Sequence, residues 1–267
     1  MTEEIVRQTL AMDIDGDRLA AAWFGPPRGS QSQAVIVMLH EGLGSIPMWG
    51  DFPTVLAEAT NTPVFTYERQ GHGQSGRPKL PRVRNWMHDE ALRVLPAVLA
   101  DQAIVNPLLF SHSDGATIAL IHAAHHGVRG VVSEAAHVYH DAMMKSGARR
   151  ATAQWARGVL RDYLKEHHGE DAEMLLTGWL DWWRQSRTRG WNIIDDMKRI
   201  KQPVLAIQGT TDAYGTPDQV NRIVETVAGP AEALFIDECG HIPHHEAREI
   251  VLESVLTWIA QHRVLSG

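Results

Sequence analysis

The chain has 267 residues, of which 44% are hydrophobic and 21% are charged. These values fit one globular domain with a large core, and they exclude a disordered, collagen-like or coiled-coil chain. The formal net charge of −7 opposes binding to nucleic acids and to anionic membranes, because both attract basic proteins. We therefore expect a globular protein whose partner is a small molecule.

Cys239 is the only cysteine. One cysteine excludes an internal disulfide, a cysteine-rich zinc site and an iron–sulfur cluster bound by this chain alone. The first ten residues, MTEEIVRQTL, are acidic where a signal peptide is basic, and no apolar run reaches the ~18 residues of a membrane span. These features predict a cytoplasmic protein without a membrane partner, present as a monomer or homodimer.

The first predicted element is an antiparallel hairpin over residues 5–24, because Asp15-Gly16 separates two short runs of mixed polarity. Short apolar runs without alternation follow, and they indicate strands that are covered on both faces. These runs are residues 34–39, 64–67, 108–110, 131–133, 204–207 and 233–236. Helical stretches fall between them, including residues 114–126 and a last helix with Trp258 on its apolar face. The alternation predicts an α/β fold with a parallel sheet.

Between residues 137 and 198 the alternation stops and only helical patterns remain. This stretch holds five of the nine tryptophans, namely Trp155, Trp179, Trp182, Trp183 and Trp191. It contains no flexible Gly/Ser linker, so we expect it to pack on the main domain. The predicted organisation is a core of residues 1–136 and 199–267 with a helical cap at 137–198. The five tryptophans are candidates for substrate contacts.

The strongest chemical motif is the run Ser111-His112-Ser113-Asp114-Gly115 between a predicted strand and a predicted helix. A strand-to-helix turn that projects a serine has a crowded backbone, so small residues are required two positions before and after the serine. Ser111 and Gly115 meet this requirement. Ser113 is therefore the candidate nucleophile, with a helix-capping serine as the alternative. His112 beside it is a candidate substrate contact.

A glycine-containing turn, HEGLGS at residues 40–45, follows the first buried strand. An oxyanion requires backbone N–H groups that are free of sheet pairing, and glycine permits close approach. We expect the N–H groups of Gly42 and Asp114 to be these donors, since Asp114 lies at a helix N-terminus. Glu41 is expected to point away, because a carboxylate beside a developing oxyanion raises the barrier.

A serine nucleophile requires a histidine base and a carboxylate that orients the histidine. Asp212 follows the strand at 204–207, and His241 follows the strand at 233–236. Because parallel strands end at the same edge of a sheet, these loops converge with Ser113. Glu134 follows another strand at this edge and is the alternative acid. The Gly-Thr-Thr-Asp turn and the shorter side chain favour Asp212.

Five segments together resemble the α/β-hydrolase superfamily of esterases, lipases and C–C hydrolases, and the likeness covers nearly the whole chain. They are HEGLGS at 40–45, GHGQS at 71–75, SHSDG at 111–115, GTTD at 209–212 and GHIPHHE at 240–246. The resemblance implies an α/β-hydrolase fold, with a mostly parallel eight-stranded sheet, helices on both faces and a helical lid. It also implies no cofactor and a catalytic triad of Ser113, Asp212 and His241.

Two motifs depart from the pattern of the family that the chain resembles. The family often has an aspartate and an arginine before its GHGxS turn, where this chain has Glu68 and Gln70. It also has a glycine more often than an acid at the position of Glu41. The first departure is expected to change how the loop is anchored, and the second brings a carboxylate near the oxyanion donors.

The fifteen histidines raise the possibility of a metal site. The candidate pairs are His125/His126, His167/His168, His244/His245 and His137/His140. Adjacent histidines on a helix point in different directions, and no third ligand of suitable geometry accompanies the last pair, so we expect no metal. Cys239 near His241 is interpreted as a small buried residue.

The predicted activity is hydrolysis of a carboxylic ester, or a related acyl bond, of a small and largely apolar substrate through an acyl-enzyme on Ser113. Three alternatives stay open on the same fold. They are C–C hydrolysis of a ring-fission diketone, cofactor-free dioxygenation, and a ligand receptor with little turnover. The sequence does not choose among the bonds, because substrate identity depends mainly on the cap.

Overall fold

The computed structural model describes residues 8–29, 33–184, 188 and 190–266, so residues 5–7 of the predicted hairpin lie outside it. The described strands form one sheet in the order β1-β2-β4-β3-β5-β6-β7-β8. Their bounds are β1 (Gln8–Ile14), β2 (Asp17–Phe24), β3 (Ile36–Leu39), β4 (Val64–Tyr67), β5 (Leu108–His112), β6 (Gly130–Glu134), β7 (Val204–Gly209) and β8 (Ala231–Ile236). In the sheet, strands β3 to β8 are all parallel to one another. Strand β2 pairs antiparallel with both β1 and β4. The predicted α/β class and eight-stranded sheet are confirmed.

The hairpin of β1 and β2 turns at Asp15 and Gly16, which have φ angles of 54° and 82°. Two consecutive positive φ angles are what a tight hairpin turn requires, and Asp-Gly supplies them at low cost. The hairpin prediction is therefore confirmed over the described residues 8–24.

The α-helices cover both faces of the sheet. Their bounds are α1 (Phe52–Thr60), α2 (Trp86–Asp89), α3 (Leu95–Asp101), α4 (Asp114–His125), α5 (Ala142–Ala156), α6 (Val159–His168), α7 (Ala172–Arg184), α8 (Ile194–Met197), α9 (Asp218–Thr226), α10 (Pro243–Glu246) and α11 (Arg248–His262). A π-helical segment at Glu90–Val94 joins α2 to α3. No helix among the described residues is long and apolar enough to cross a membrane.

The core lies in two layers because successive strand residues face opposite sides of the sheet. In β3, Ile36 and Met38 pack in the layer under α1 and α11, whereas Val37 and Leu39 pack in the layer under α3 and α4. All four side chains are at most 1% exposed. This explains why the strand sequence shows no polar alternation.

The segment of residues 137–198, called the cap segment below, contains α5 to α8. An isolated bridge between Tyr139 and Asn192 brings its two ends together. The segment leaves the sheet directly after β6 and returns before β7. Strand β6 ends at the carboxyl edge of the sheet, as its parallel neighbours do. The cap segment therefore begins beside the loops that carry Ser113, Asp212 and His241.

Candidate active site

Ser113 occupies a sharp turn between β5 and α4. Its φ and ψ angles are 54° and −118°, a combination that residues with a Cβ rarely adopt. Its N–H donates to the carbonyl of Glu134 at 2.8 Å, which supports the turn. A Cβ on Gly115 would lie 2.2 Å from the carbonyl oxygen of Leu39, so glycine is required there. The turn therefore has the geometry of a nucleophile elbow.

The loops after β7 and β8 bring two side chains to Ser113. His241 Nε2 lies 3.1 Å from Ser113 Oγ, and His241 Nδ1 lies 3.0 Å from each carboxylate oxygen of Asp212. Asp212 also accepts the N–H of Tyr214 at 2.8 Å and the side-chain amide of Gln208 at 3.1 Å. The three residues singled out in the sequence thus form one continuous chain of hydrogen bonds.

The charge of Asp212 follows from its partners. Burial alone would raise the pKa of this carboxyl, but the charge and hydrogen bond of His241 and the Tyr214 N–H lower the pKa to about 2. Asp212 is therefore ionised at neutral pH. An ionised carboxylate at Nδ1 fixes the imidazole tautomer in which Nε2 is free to accept a proton from serine.

Glu134, the alternative acid, forms a different pair. It lies at the end of β6, is fully buried, and has Oε2 2.6 Å from His244 Nδ1. Burial raises the pKa of Glu134 to about 8 and lowers the pKa of His244 well below its usual value. The pair is therefore neutral, with the carboxyl proton donated to the imidazole. Of the two candidate acids, Asp212 is the one that contacts His241.

Gly42 and Asp114 both lie at the cavity above Ser113. The N–H of Gly42 has no hydrogen-bond acceptor in the described part of the chain. Asp114 is the first residue of α4, where a helix leaves its N–H groups unpaired. A Cβ on Gly42 would lie 2.4 Å from Asp114 Oδ2 and 2.5 Å from Trp179 Nε1, so glycine is needed for this packing.

Residues 40–44, called the oxyanion loop below, are held through their carbonyl groups. The buried Arg69 donates from its guanidinium to the carbonyls of His40, at 2.6 Å, and Glu41. The His40 ring also donates to the Glu41 carbonyl, at 2.8 Å. Sequence reasoning missed Arg69. An arginine two residues after the buried strand β4 was the available signal.

The next two carbonyls of the oxyanion loop accept hydrogen bonds from histidines. His72 Nε2 donates to the carbonyl of Gly42 at 3.1 Å, and His168 Nε2 donates to the carbonyl of Leu43 at 2.8 Å. His72 belongs to the GHGQS turn of the core, whereas His168 ends α6 in the cap segment. Side chains thus donate hydrogen bonds to four successive carbonyl groups, those of residues 40–43.

Glu68 shows how the first departure from the family pattern is accommodated. Its carboxylate accepts the N–H of Ile46 at 2.9 Å and the N–H of Gln74 at 2.6 Å. It therefore connects the residues just after the oxyanion loop to the GHGQS turn. Gln70, the other residue of this departure, donates to the carbonyl of Arg77 at 2.8 Å, just beyond the same turn.

A sequence model of the alpha/beta hydrolase family matches residues 36–253. The chain belongs to this family. No curated protein matches the chain. The family assignment agrees with the sheet order, the elbow at Ser113 and the positions of Asp212 and His241.

Solved structures with the same fold include hydrolases of different specificity. A bacterial membrane phospholipase A has a TM-score of 0.78 at 18% identity, covering 96% of this chain and 87% of that chain. The enol-lactonase of Burkholderia xenovorans LB400 has a TM-score of 0.73 at 19% identity, covering 94% and 100%. The proline iminopeptidase of Mycobacterium smegmatis has a TM-score of 0.73 at 16% identity, covering 97% and 100%. At such low identity the likeness establishes the fold of this chain and leaves its activity and substrate open.

A cavity of about 180 Å³ lies over Ser113. The cap segment contributes apolar side chains to its wall, and the core contributes the reactive groups. Its lining consists of Glu41, Gly42, Leu43, Met48, Ser113, Asp114, His137, Met144, Ala151, Leu160, Tyr163, Leu164, Trp179, Trp183, Tyr214, His241 and Ile242. Two of the five candidate tryptophans, Trp179 and Trp183, are among these residues.

The other three candidate tryptophans are not part of this lining, which corrects the expectation that they contact substrate. Trp182 donates its indole N–H to the carbonyl of Val83 at 3.2 Å. The Trp191 ring packs edge-on against Trp182 at 5.2 Å, and Trp155 packs against the hydrophobic core. These rings attach the cap segment to the core and stabilise its interior.

His112 is also absent from the cavity lining and lies behind His241. Its Nε2 donates to the backbone carbonyl of His241 at 2.7 Å, and its Nδ1 is 3.6 Å from Glu41 Oε2. It was expected to contact substrate, but it supports the histidine loop instead. Glu41 contributes to the cavity wall, while its carboxylate folds back over Gly44 toward His112. Burial opposes ionisation of Glu41, but the nearby His112 ring lowers the pKa of its carboxyl to about 2.

The candidate metal-binding histidines have other partners. His125 Nε2 pairs with Asp196 at 2.8 Å, His137 Nε2 donates to the Tyr214 carbonyl at 3.3 Å, and His140 Nε2 donates to the Trp183 carbonyl at 3.0 Å. Within the described ranges, no group of three or more metal-ligating side chains converges. Cys239 is buried at 3% exposure.

Proposed function

We propose that this protein is a serine hydrolase that cleaves a carboxylic ester, or a related acyl bond, of a small and largely apolar substrate. The observation that carries the proposal is the hydrogen-bonded chain from Ser113 through His241 to Asp212 at the base of an apolar cavity. The proposed reaction requires no cofactor.

The proposed mechanism follows from these contacts. Ser113 Oγ attacks the acyl carbon and transfers its proton to His241 Nε2, while Asp212 stabilises the imidazolium that forms. The N–H groups of Gly42 and Asp114 donate to the oxyanion. His241 then returns the proton to the leaving oxygen as the bond to the acyl carbon breaks. Water, deprotonated by the same histidine, releases the acid from Ser113.

The cavity supports a neutral acyl group. Among the described residues, its lining contains no lysine or arginine that would pair with a substrate carboxylate. Glu41 is ionised and lies at the wall, so a second negative charge nearby is unfavourable. Trp179, Trp183 and Leu164 supply apolar surface that suits aromatic or medium-length acyl groups.

The proposal is tested by turnover against a panel that varies acyl chain length, leaving group and lactone ring size. Ser113→Ala should keep the fold and lose about 10⁴-fold or more in kcat on the best substrate. Ser111→Ala is the matched control, because the Ser111 hydroxyl donates to the Val132 carbonyl at 2.9 Å and has no contact with Ser113 Oγ. Wild-type rates in folded Ser113→Ala would contradict the assignment.

The tryptophans provide an internal test of the cavity. Trp179→Ala and Trp183→Ala should raise KM or change the acyl-length preference, because these rings form its wall. Trp182→Ala and Trp191→Ala should lower the melting temperature and change the preference less, because these rings reach the cavity only through their contacts with Trp183. Steady-state kinetics and thermal melting on all four proteins check this. Identical effects on KM in both groups would overturn the assignment of Trp179 and Trp183.

The alternatives give different signals in the same panel. Decolourisation of a ring-fission diketone would identify C–C hydrolysis, and oxygen uptake would identify dioxygenation. Tight ligand binding without turnover would identify a receptor. Ester turnover that depends on Ser113 supports the proposal over all three.

A further inference from the structure

His168 connects the cap segment to the oxyanion loop. It ends α6, is 5% exposed, and packs its ring 6.0 Å from the ring of His72. Its Nε2 lies 2.8 Å from the carbonyl oxygen of Leu43, and its Nδ1 lies 2.9 Å from the backbone nitrogen of Gly73. One side chain thus joins the cap segment, the oxyanion loop and the GHGQS turn.

The partners of His168 determine its protonation. The Leu43 carbonyl only accepts and the Gly73 N–H only donates, so Nε2 carries the proton and Nδ1 accepts. Burial lowers the pKa of His168, although the hydrogen bond to Leu43 opposes this effect. The neutral form that satisfies both partners is therefore the stable one.

The bond to Leu43 acts on the proposed oxyanion donor through two peptide planes. In a planar trans peptide the carbonyl of one residue and the N–H of the next point in opposite directions. Holding the Leu43 carbonyl therefore directs the Gly44 N–H, which donates to the Glu41 carbonyl at 3.2 Å. The Glu41 carbonyl shares its peptide plane with the N–H of Gly42. His168 and Gly42 are thus linked by a short series of oriented peptides.

The other groups that hold these carbonyls belong to the core. Arg69 and His40 engage the Glu41 carbonyl, and His72 engages the Gly42 carbonyl. His168 is supplied by the cap segment, which also forms the apolar wall of the cavity. The cap segment therefore contacts both the substrate space and the loop that would stabilise the transition state.

We propose that His168 is a positioning residue through which the cap segment orients the oxyanion loop for catalysis. This inference rests on the proposed serine hydrolase function. Because the oxyanion forms in the tetrahedral intermediate and in the transition states on either side of it, and is absent from the bound substrate, loss of the Leu43 bond should lower kcat with little change in KM. A residue that only stabilised the fold would not produce this separation.

The test compares His168→Gln with His168→Asn. Gln can reach Leu43 with its amide N–H, whereas the shorter Asn retains an acceptor near Gly73 and loses the bond to Leu43. His167→Asn is the matched control, since His167 lies on the same helix and contacts Tyr163 in place of the loop. Kinetics, thermal melting and binding of a boronic acid that mimics the tetrahedral intermediate are measured for each protein.

The expected result is a loss of about tenfold or more in kcat for His168→Asn, with KM within about twofold of wild type and a parallel loss of boronic acid affinity. His168→Gln and His167→Asn should retain most of the wild-type kcat. Equal kcat values for folded Asn and Gln variants, or a change confined to KM, would overturn the inference. If His168→Asn does not fold, His168→Leu replaces it, and its melting curve shows whether that variant is folded. A wild-type kcat in folded His168→Leu would also overturn the inference.

The two proposals fail in different ways. A wild-type protein that neither turns over esters nor reacts at Ser113 removes the proposed function, and the positioning role with it. An active wild type with indistinguishable Asn and Gln variants removes only the role of His168.

Discussion

Two carboxyl–histidine pairs lie at the carboxyl ends of neighbouring strands, and the pKa values of their carboxyl groups are shifted in opposite directions. Asp212 and His241 follow β7 and β8 beside the cavity, and the pKa of Asp212 is lowered to about 2. Glu134 and His244 lie deeper, and the pKa of Glu134 is raised to about 8. The chemical groups are alike, so their surroundings determine the difference.

The surroundings differ in two respects. Asp212 accepts two further hydrogen bonds, from the Tyr214 N–H and the Gln208 amide, and these stabilise its negative charge. Glu134 Oε1 has no hydrogen-bond partner among the described residues, and the His244 ring packs 4.7 Å from the ring of Trp49. A carboxyl group with one polar partner in an apolar environment keeps its proton.

The largest expected effect comes from the same chemical change made in both pairs. Asp212→Asn should lower kcat by about 10³- to 10⁴-fold, because the amide favours the wrong tautomer of His241. Glu134→Gln should change kcat by less than about tenfold, because the amide replaces a carboxyl group that is already neutral. Steady-state kinetics on both folded variants check this contrast. The reverse ranking would transfer the role of the acid to Glu134.

A smaller effect is expected in the pH dependence of stability. Because the folded-state pKa of Glu134 lies above its unfolded value of 4.5, its contribution to stability is complete below that value and is lost as the pH rises through about 8. The amide in the Glu134→Gln variant cannot ionise, so the variant keeps this contribution to stability as the pH rises. Between pH 5 and pH 9 the variant should gain about 1 kcal/mol or more in free energy of unfolding relative to wild type. A constant difference in urea denaturation across this range would mean that Glu134 is ionised throughout.

The positions of Ser113, Asp212 and His241 could be predicted from the sequence because local patterns determine them. Ser113 and Asp212 follow apolar runs that form buried strands, whereas His241 follows β8, an edge strand that is only partly buried and not covered on both faces as expected. Parallel strands end at the same edge of the sheet. The small residues around Ser113 are a steric requirement of the turn itself. No knowledge of distant contacts was needed for these assignments.

The supporting residues could not be predicted in this way. The bond between His168 and Leu43 joins positions 125 residues apart, and no local pattern specifies where the end of α6 will dock. The pairing of Glu134 with His244 likewise depends on how α10 packs under Trp49. Such contacts follow from tertiary packing, which changes the environment of a side chain without changing its sequence neighbours.

The roles of the tryptophans could be predicted only in part from the sequence. Trp179 and Trp183 are four residues apart in α7, so the helix period places them on one face. Trp182 is three residues after Trp179, so the period also places it beside that face and does not separate it from the two rings of the cavity wall. The sequence also does not specify which face of α7 covers Ser113, because that depends on how the cap segment packs.

The central claim is that Ser113 carries the acyl group during turnover. The most direct measurement is mass spectrometry of the enzyme quenched in acid during turnover of its best ester, followed by peptide mapping. If Ser113 is the nucleophile, the peptide that contains Ser113 should gain a mass equal to that of the acyl group. The same peptide from Ser113→Ala should show no increase. An acyl adduct on another residue, or full turnover by Ser113→Ala, would contradict the central claim.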